Sequence, residues 1–468
     1  MATAVLSWLT LIDADKYMSL ALAIDFFHKM ASRSKLYIFC HEHILMQTRS
    51  NTFLWVTYDF ANSIVMIVFF LYFAQWIVVD RGISDFYFNL TFTISALLLL
   101  LTAPLFGVVL DKFLRRITGL RYSTIFTALF YGLSGLSAVY GKNIPALIFF
   151  TLGLYAYLQS FTFYTPLIND IAHSSKRGLI SGLGIMANYL GQITGLVIAL
   201  PFSQGKVALF SAAPRAETLL PSVILFFILS LPMLIFFKEP KKDAPDGARI
   251  SSAMRGVISE TKHLLSHSSV AIFLLSYFLF NDAILTAVNN FPIFLEQVWS
   301  ISDTTKTYLM LSILVMCAIG GLIAGFLADR YGHKKILVII LAFWLVMFPV
   351  IGLATNFKLF VTFAIFMGLW FGATWAVSRS LMSHICPEGK HNLAFAYFGL
   401  AERASSFIGP IVWGLVVTNL VTMGNDRYRI AFLAITGFIL LGLLALIKVR
   451  DDRHHPSRTR IISSGSRI

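Results

Sequence analysis

About a dozen apolar runs of roughly twenty residues recur along the chain, each long enough to cross the ~30 Å hydrocarbon layer of a bilayer as a helix. Within hydrocarbon, backbone amides must be paired inside the segment or within a closed barrel. Runs of this length therefore dictate an all-α, multi-pass membrane protein. Composition agrees: 57% of the 468 residues are hydrophobic and only 13% are charged, which is not the make-up of a soluble domain.

The predicted spans lie near 52–79, 86–110, 121–140, 145–167, 178–201, 219–237, 267–295, 305–328, 335–355, 357–382, 391–419 and 429–448. They divide the chain into an N-terminal cytoplasmic or interfacial segment (1–50), a six-helix bundle (51–238), a cytoplasmic linker (239–266), a second bundle (267–450) and a basic tail (451–468). The net charge of +14 is no sign of nucleic acid, because Lys and Arg gather in alternate loops. With both termini cytoplasmic, the inside segments hold about 28 basic residues against about 8 outside. In the first fifty residues, Asp15 to about His43 reads as an interfacial helix whose Lys29, Arg33 and Lys35 can meet lipid phosphates, with a disordered tail as the alternative. Acids at Asp13, Asp15 and Asp25 argue against a signal peptide. In the linker, Ile250 to His263 is expected to form a short surface helix.

One element occurs twice. Gly107, Asp111, Lys112 and Arg115 follow the second apolar run, and Gly325, Asp329, Arg330 and Lys334 follow the eighth, 218 positions on from glycine to glycine. Matching positions in two apolar halves imply parallel repeats that rock against each other, as in a secondary transporter. Glycine at such a place lets neighbouring helices approach, and an acid at the helix end can meet helix termini or basic groups of the partner bundle. The element thus reads as a conformational latch, against the plainer reading of a solvated, positive-inside loop.

Ionisable and amide side chains inside apolar runs are costly and normally face the interior of a bundle. On the first span Asp59, Asn62 and Ser63 share one face, and on the fifth Asn188 and Gln192 do so, with Gly184 and Gly191 permitting close packing. The seventh span carries Asn281 and Asp282, then Asn289 and Asn290 beside a break expected at Phe291-Pro292, where freed carbonyls could bind a solute. The eleventh carries Glu402 and Arg403 near the midplane; being adjacent, they point about 100° apart and do not pair with each other. These ten residues, Asp59, Asn62, Asn188, Gln192, Asn281, Asp282, Asn289, Asn290, Glu402 and Arg403, form the candidate substrate or proton pathway, with structural hydrogen-bond knots as the competing explanation.

Several chemistries are excluded. There is no phosphate-binding loop, no dinucleotide fingerprint and no zinc pair, and Cys40, Cys317 and Cys386 lack metal-ligand spacing, so no catalytic set, cofactor or metal is expected.

The repeated Gly-x3-Asp-Arg/Lys element resembles the loop signature of the major facilitator superfamily. Trp55-Val-Thr-Tyr58-Asp59-Phe60-Ala61-Asn62-Ser63 is similar to the Tyr-Asp-Trp-Ala-Asn-Ser element of its vacuole-effluxer-like branch, although Phe60 replaces the usual Trp. Pro166 to Gly178, with Ser181, Gly182, Gly184, Asn188 and Gly191, resembles that branch's fourth-to-fifth connection, and Ser378-Arg379-Ser380 its tenth span. The resemblance covers about residues 51–448 and implies the twelve-helix major facilitator fold, two pseudo-symmetric six-helix bundles. The long insertions of fungal members are missing, which points to a compact bacterial relative in the cytoplasmic (inner) membrane. Because the fungal branch is associated with amino-acid export from vacuoles, the resemblance implies alternating-access transport of amino acids or related small polar solutes. Proton coupling through Asp59, Asp282 or Glu402 is expected, with membrane lipids as the other partners. The alternatives are a non-transporting receptor or assembly partner, and a pore.

Overall fold

The computed structural model describes residues 42–112, 115–171, 177–239, 259, 262, 266–387 and 391–450; of these, 42–49, 104–105, 107–112, 169, 177–179, 181–182 and 391–393 are described by their backbone alone. The interfacial helix expected up to residue 43, save its last two positions, all but two positions of the linker helix and the basic tail lie outside the described residues. The chain divides into two units, Met1–Ser50 and Asn51–Ile468, and the bundle belongs to the second.

Among the described residues twelve helical spans are long and apolar enough to cross a membrane, and no strand occurs. They are built from α1 (Glu42–Val68), α2 (Asp85–Lys112), α3 (Arg116–Val139), α4 (Asn143–Tyr164), α5 (Arg177–Ser203), α6 (Leu219–Phe236), α7 (Ser268–Trp299), α8 (Asp303–Tyr331), α9 (His333–Leu353), α10 (Phe357–Ile385), α11 (His391–Ala404), α12 (Gly409–Asn419) and α13 (Asp426–Ile447). The first span does not stop at Val68. It continues through two wide-turn segments, Phe69–Phe73 and Trp76–Asp80, around Gln75, whose amide nitrogen bonds the Leu71 carbonyl at 2.7 Å. Wide turns of this kind occur where a side chain intrudes on the backbone ladder.

Two expectations need correction. Pro292 does not break the seventh span: α7 runs unbroken from Ser268 to Trp299 with the proline inside. The break is in the eleventh span instead, where Ser405 to Ile408 separate α11 from α12.

Within the first half α3 packs on α4 and α6, and within the second α8 packs on α10 and α7 on α13. The halves meet where α2 lies on α12 and where α5 lies on α8. A shift of six spans turns the pairing of the second and eleventh spans into that of the eighth and fifth, as repeated halves require. Asn51 bonds Lys238 at the ends of the first and sixth spans, and Lys334 bonds Val449 at the ends of the ninth and twelfth, which defines a near face. Asp80, Asp85, Arg215, Glu296 and Asp303 mark the opposite, far face.

Candidate functional site

The Trp55–Asp59 segment is fixed by a reciprocal lock. Trp55 stacks on Tyr164 with ring centroids 4.7 Å apart and 7° between planes; its indole donates to the Tyr164 carbonyl at 3.3 Å, and the Tyr164 hydroxyl returns a bond to the Trp55 carbonyl at 2.8 Å. Tyr58 adds a buried bond to Thr124 on α3. With one face of α1 held against α3 and α4, Asp59 turns toward α5. There a Cβ on Gly184 would stand 2.7 Å from the Trp55 ring and 3.3 Å from an Asp59 carboxylate oxygen, and one on Gly191 would stand 2.2 Å from the Phe60 carbonyl oxygen. Glycine is what allows α5 to come this close. The approach brings the Asn188 amide to Asp59 at 3.4 Å, and Gln192 donates to Asn188 at 2.7 Å, so three of the predicted residues form one polar row.

The second half faces that row with cations. Arg379, on α10, contacts Glu402, on α11, at 3.2 Å, while the Arg403 guanidinium lies 3.6 Å over the Phe161 ring of the first half and reaches Thr165 at 3.4 Å. Glu402 and Arg403 therefore take different partners, as their angular separation requires. Asp59 lies within electrostatic reach of both Arg403 and Arg379. An acid flanked by amides on one wall and two guanidiniums on the other, about 10 to 16 Å in from the near face by helical rise, can hold a solute carrying both signs of charge. Arg379 was not among the predicted site residues. Its signal was the Ser378-Arg379-Ser380 stretch of the tenth span, which places an arginine six positions before the end of α10.

Other predicted residues have different surroundings. Asn281, fully buried, bonds the Glu402 carbonyl and the Ser405 hydroxyl and accepts from the Trp375 indole at 3.1 Å. Asp282, also buried, accepts backbone N–H bonds from Phe407 at 3.1 Å and Gly409 at 2.7 Å, so it caps the start of α12. Asn290 exchanges two 2.8 Å amide bonds with Asn89 across the halves. The Asn62 amide and the Asn289 carbonyl oxygen are buried without a hydrogen-bond partner among the described residues.

The repeated loop is only partly described. Gly107, Asp111 and Lys112 belong to the last turns of α2 by backbone, and their side chains lie outside the described residues. Arg115 is exposed at the N-cap of α3. In the second copy Asp329 is 77% exposed, with His333 of its own half 3.9 Å away, Arg330 lies over the Tyr331 ring, and Lys334 caps the last span through the Ile447 and Val449 carbonyls. Among the described residues a Cβ on Gly325 would meet nothing within 4 Å, so there the glycine does not serve the close approach expected of it.

The halves are joined on the far face by a charge cluster that sequence reasoning missed. Arg215 grips Asp303 with two bonds, at 2.9 and 3.0 Å, and also meets Asp80 at 2.6 Å and Glu296 at 3.0 Å. Lys306, fully buried, meets Gln75, Glu296 and Asp303. The Tyr72–Thr307, Ser84–Thr418 and Gln204–Thr304 bonds lie in the same layer, and Tyr428 donates to Asp85 beside it. These charges stand at span ends, where sequence alone reads them as solvated.

Comparison with known proteins places this architecture. A family model described as "Vacuole effluxer Atg22 like" matches residues 86–457. An uncharacterized protein of Aquifex aeolicus (strain VF5) is 23% identical over 370 residues, 78% of this chain and 88% of that protein. Autophagy-related protein 22 of Saccharomyces cerevisiae (strain ATCC 204508 / S288c) is 29% identical over 206 residues; the match spans 41% of this chain and only 38% of the yeast protein. Among solved structures, a bacterial homolog to human lysosomal transporter Spinster, inward-facing and occupied, aligns with TM-score 0.68 at 12% identity, covering 87% of this chain and 97% of that one. The nucleoside transporter NupG aligns with TM-score 0.64 at 14% identity over 85% and 98%. The D-xylose-proton symporter gives 0.64 at 15% over 87% and 98%. The fold is that of the major facilitator transporters.

Proposed function

The chain belongs to the vacuole effluxer Atg22-like family, and from that premise we propose that it carries amino acids or related zwitterionic metabolites across a membrane by alternating access. The observation that carries this reading is the opposed pair of walls: Asp59, Asn188 and Gln192 on the first half, Arg379, Glu402 and Arg403 on the second. A solute ammonium group pairs with Asp59, and its carboxylate takes the bidentate face of Arg403. Binding the two ends to different halves gives the solute a differential hold on the conformation in which those walls are closest, which is what a ligand needs to shift an equilibrium. The far-face cluster ties the halves together on that side, so on this reading the solute is loaded from the near side.

Proton coupling falls to Asp59. Asp282 is committed to backbone amides and Glu402 to Arg379, whereas among the described residues Asp59 has a single amide at 3.4 Å. With the near face cytoplasmic and both termini inside, loading from the near side gives export, and a cytoplasmic (inner) membrane is the setting that fits a compact bacterial member.

The test is binding and uptake by purified protein in liposomes, with alanine, its decarboxylated amine and its deaminated acid, each with and without a pH gradient. The zwitterion is expected to bind about tenfold or more tightly than either one-charge analogue, the difference one lost charge-assisted contact produces. Asp59→Asn should abolish stimulation by the gradient, and Arg403→Ala should remove the preference for the carboxylate. Equal binding of all three compounds would refute the assignment.

A further inference from the structure

The interrupted eleventh span leaves two sets of orphan backbone groups in the middle of the bundle, carbonyls at the end of α11 and N–H groups at the start of α12. Two consecutive residues of α7 answer them with opposite chemistry. Asn281 is a donor there, and its amide nitrogen takes the Glu402 carbonyl at 3.1 Å and the Ser405 hydroxyl. Asp282 is an acceptor, and its two oxygens take the N–H groups of Phe407 and Gly409. Contact is so close that a Cβ on Gly409 would stand 2.3 Å from the Thr286 hydroxyl oxygen and 3.1 Å from the Asp282 carbonyl oxygen.

The clamp lies between two functional places. On one side, the residue whose carbonyl Asn281 holds is Glu402, the partner of Arg379 and neighbour of Arg403. On the other, Phe407 is bonded from both halves: its N–H goes to Asp282, and its carbonyl accepts from Thr93 of α2 at 2.9 Å. Further along, α12 reaches Thr418, which bonds Ser84 of the first half at 3.0 Å.

We propose that Asn281 and Asp282 are positioning residues for transport, holding both ends of the break so that a displacement of Glu402 and Arg403 in the cavity is carried through Phe407 to the contact between the halves. The pair does not touch the solute. This rests on the transport reading, so its test includes a readout that needs no solute.

Full-length protein in nanodiscs is labelled with nitroxides at positions 346 and 415, both exposed, on α9 and α12. In the solute-free protein, Asp282→Ala should broaden the 346–415 distance distribution, and Asp282→Asn, which keeps one acceptor, should broaden it less. With tritiated alanine as probe, both Asp282→Asn and Asn281→Leu should keep the dissociation constant within about threefold while exchange slows by about tenfold or more. A purely structural role would lower the melting temperature and leave exchange per folded molecule unchanged, with a narrow distribution, which overturns the proposal. A direct contact would instead weaken binding by about tenfold at an undiminished maximal rate, which also overturns it. Should the wild type fail to bind alanine, the solute assignment falls, while the 346–415 distribution still decides the clamp.

Discussion

Removing the Arg215 side chain should open the far face. That guanidinium joins Asp80 of its own half to Glu296 and Asp303 of the other, and its side chain is only 13% exposed. Arg215→Ala leaves three carboxylates facing one buried ammonium, Lys306. Breaking a fully buried ion pair by deleting one partner costs about 3–5 kcal/mol. Because Asp80 and Glu296 retain 32% and 24% exposure, solvent recovers part of this, and about 2–3 kcal/mol is the reasonable figure here. The penalty falls mainly on the far-closed conformation, since the contacts to Glu296 and Asp303 join the two halves and only the Asp80 contact lies within one. An equilibrium constant changed by 2–3 kcal/mol moves about 30- to 150-fold. Electron–electron distance measurement between nitroxides at positions 142 and 358, exposed on the far face of opposite halves, reads the populations. The far-open distance should become the main one, with Arg215→Lys intermediate because lysine lacks the two-bond grip on Asp303. Unchanged populations together with a lower melting temperature would refute the reasoning, since the cluster would then stabilise the fold and not one state of it.

Three further outcomes follow from the packing. Asn89→Leu or Asn290→Leu alone strands a buried amide and should cost about 1–3 kcal/mol of thermal stability, whereas the double variant should recover most of it in a double-mutant cycle. Gly372→Ala puts a methyl group 1.9 Å from the Cys317 carbonyl oxygen and should lower the melting temperature by forcing α8 and α10 apart, at a cost of about 1–3 kcal/mol or more; Gly325→Ala, with no atom within 4 Å, should leave it unchanged. Glu239→Ala removes the carboxylate that accepts from the backbone N–H groups of Arg116 and Ile117 at the start of α3, and should cost about 1 kcal/mol in the same assay.

The fold was legible because hydrocarbon allows so few answers: uninterrupted apolar runs give helices, and a loop repeated 218 positions apart gives two halves. The Asp59 row was legible too, since Asp59, Asn188 and Gln192 are scarce polar residues and Gly184 and Gly191 stand beside the amides on α5. What could not be read depended on partners distant in sequence. The break at Ser405 to Ile408 is followed by Gly409-Pro410, a helix-start signal, but what stabilises it is side chains more than 120 positions earlier. Pro292 promised a break that did not form, because tertiary packing holds α7 continuous around it. Asp282 looked like a free acid for the cavity, but its oxygens are spent on the amides of that distant break. The far-face cluster joins five charges from four span ends, and only the bundle shows that they are enclosed together. Gly325 belongs to a motif whose close contact is not found among the described residues.

A cavity loaded alternately from two sides exchanges its solute, and counterflow reads that exchange. Proteoliposomes are preloaded with unlabelled alanine, and entry of labelled alanine is followed as its outside concentration rises. Entry should be saturable, accelerated by the internal load and lost in Arg403→Ala. Entry that rises linearly and ignores the internal load would show a pore; no entry from either side, despite binding, would show a receptor.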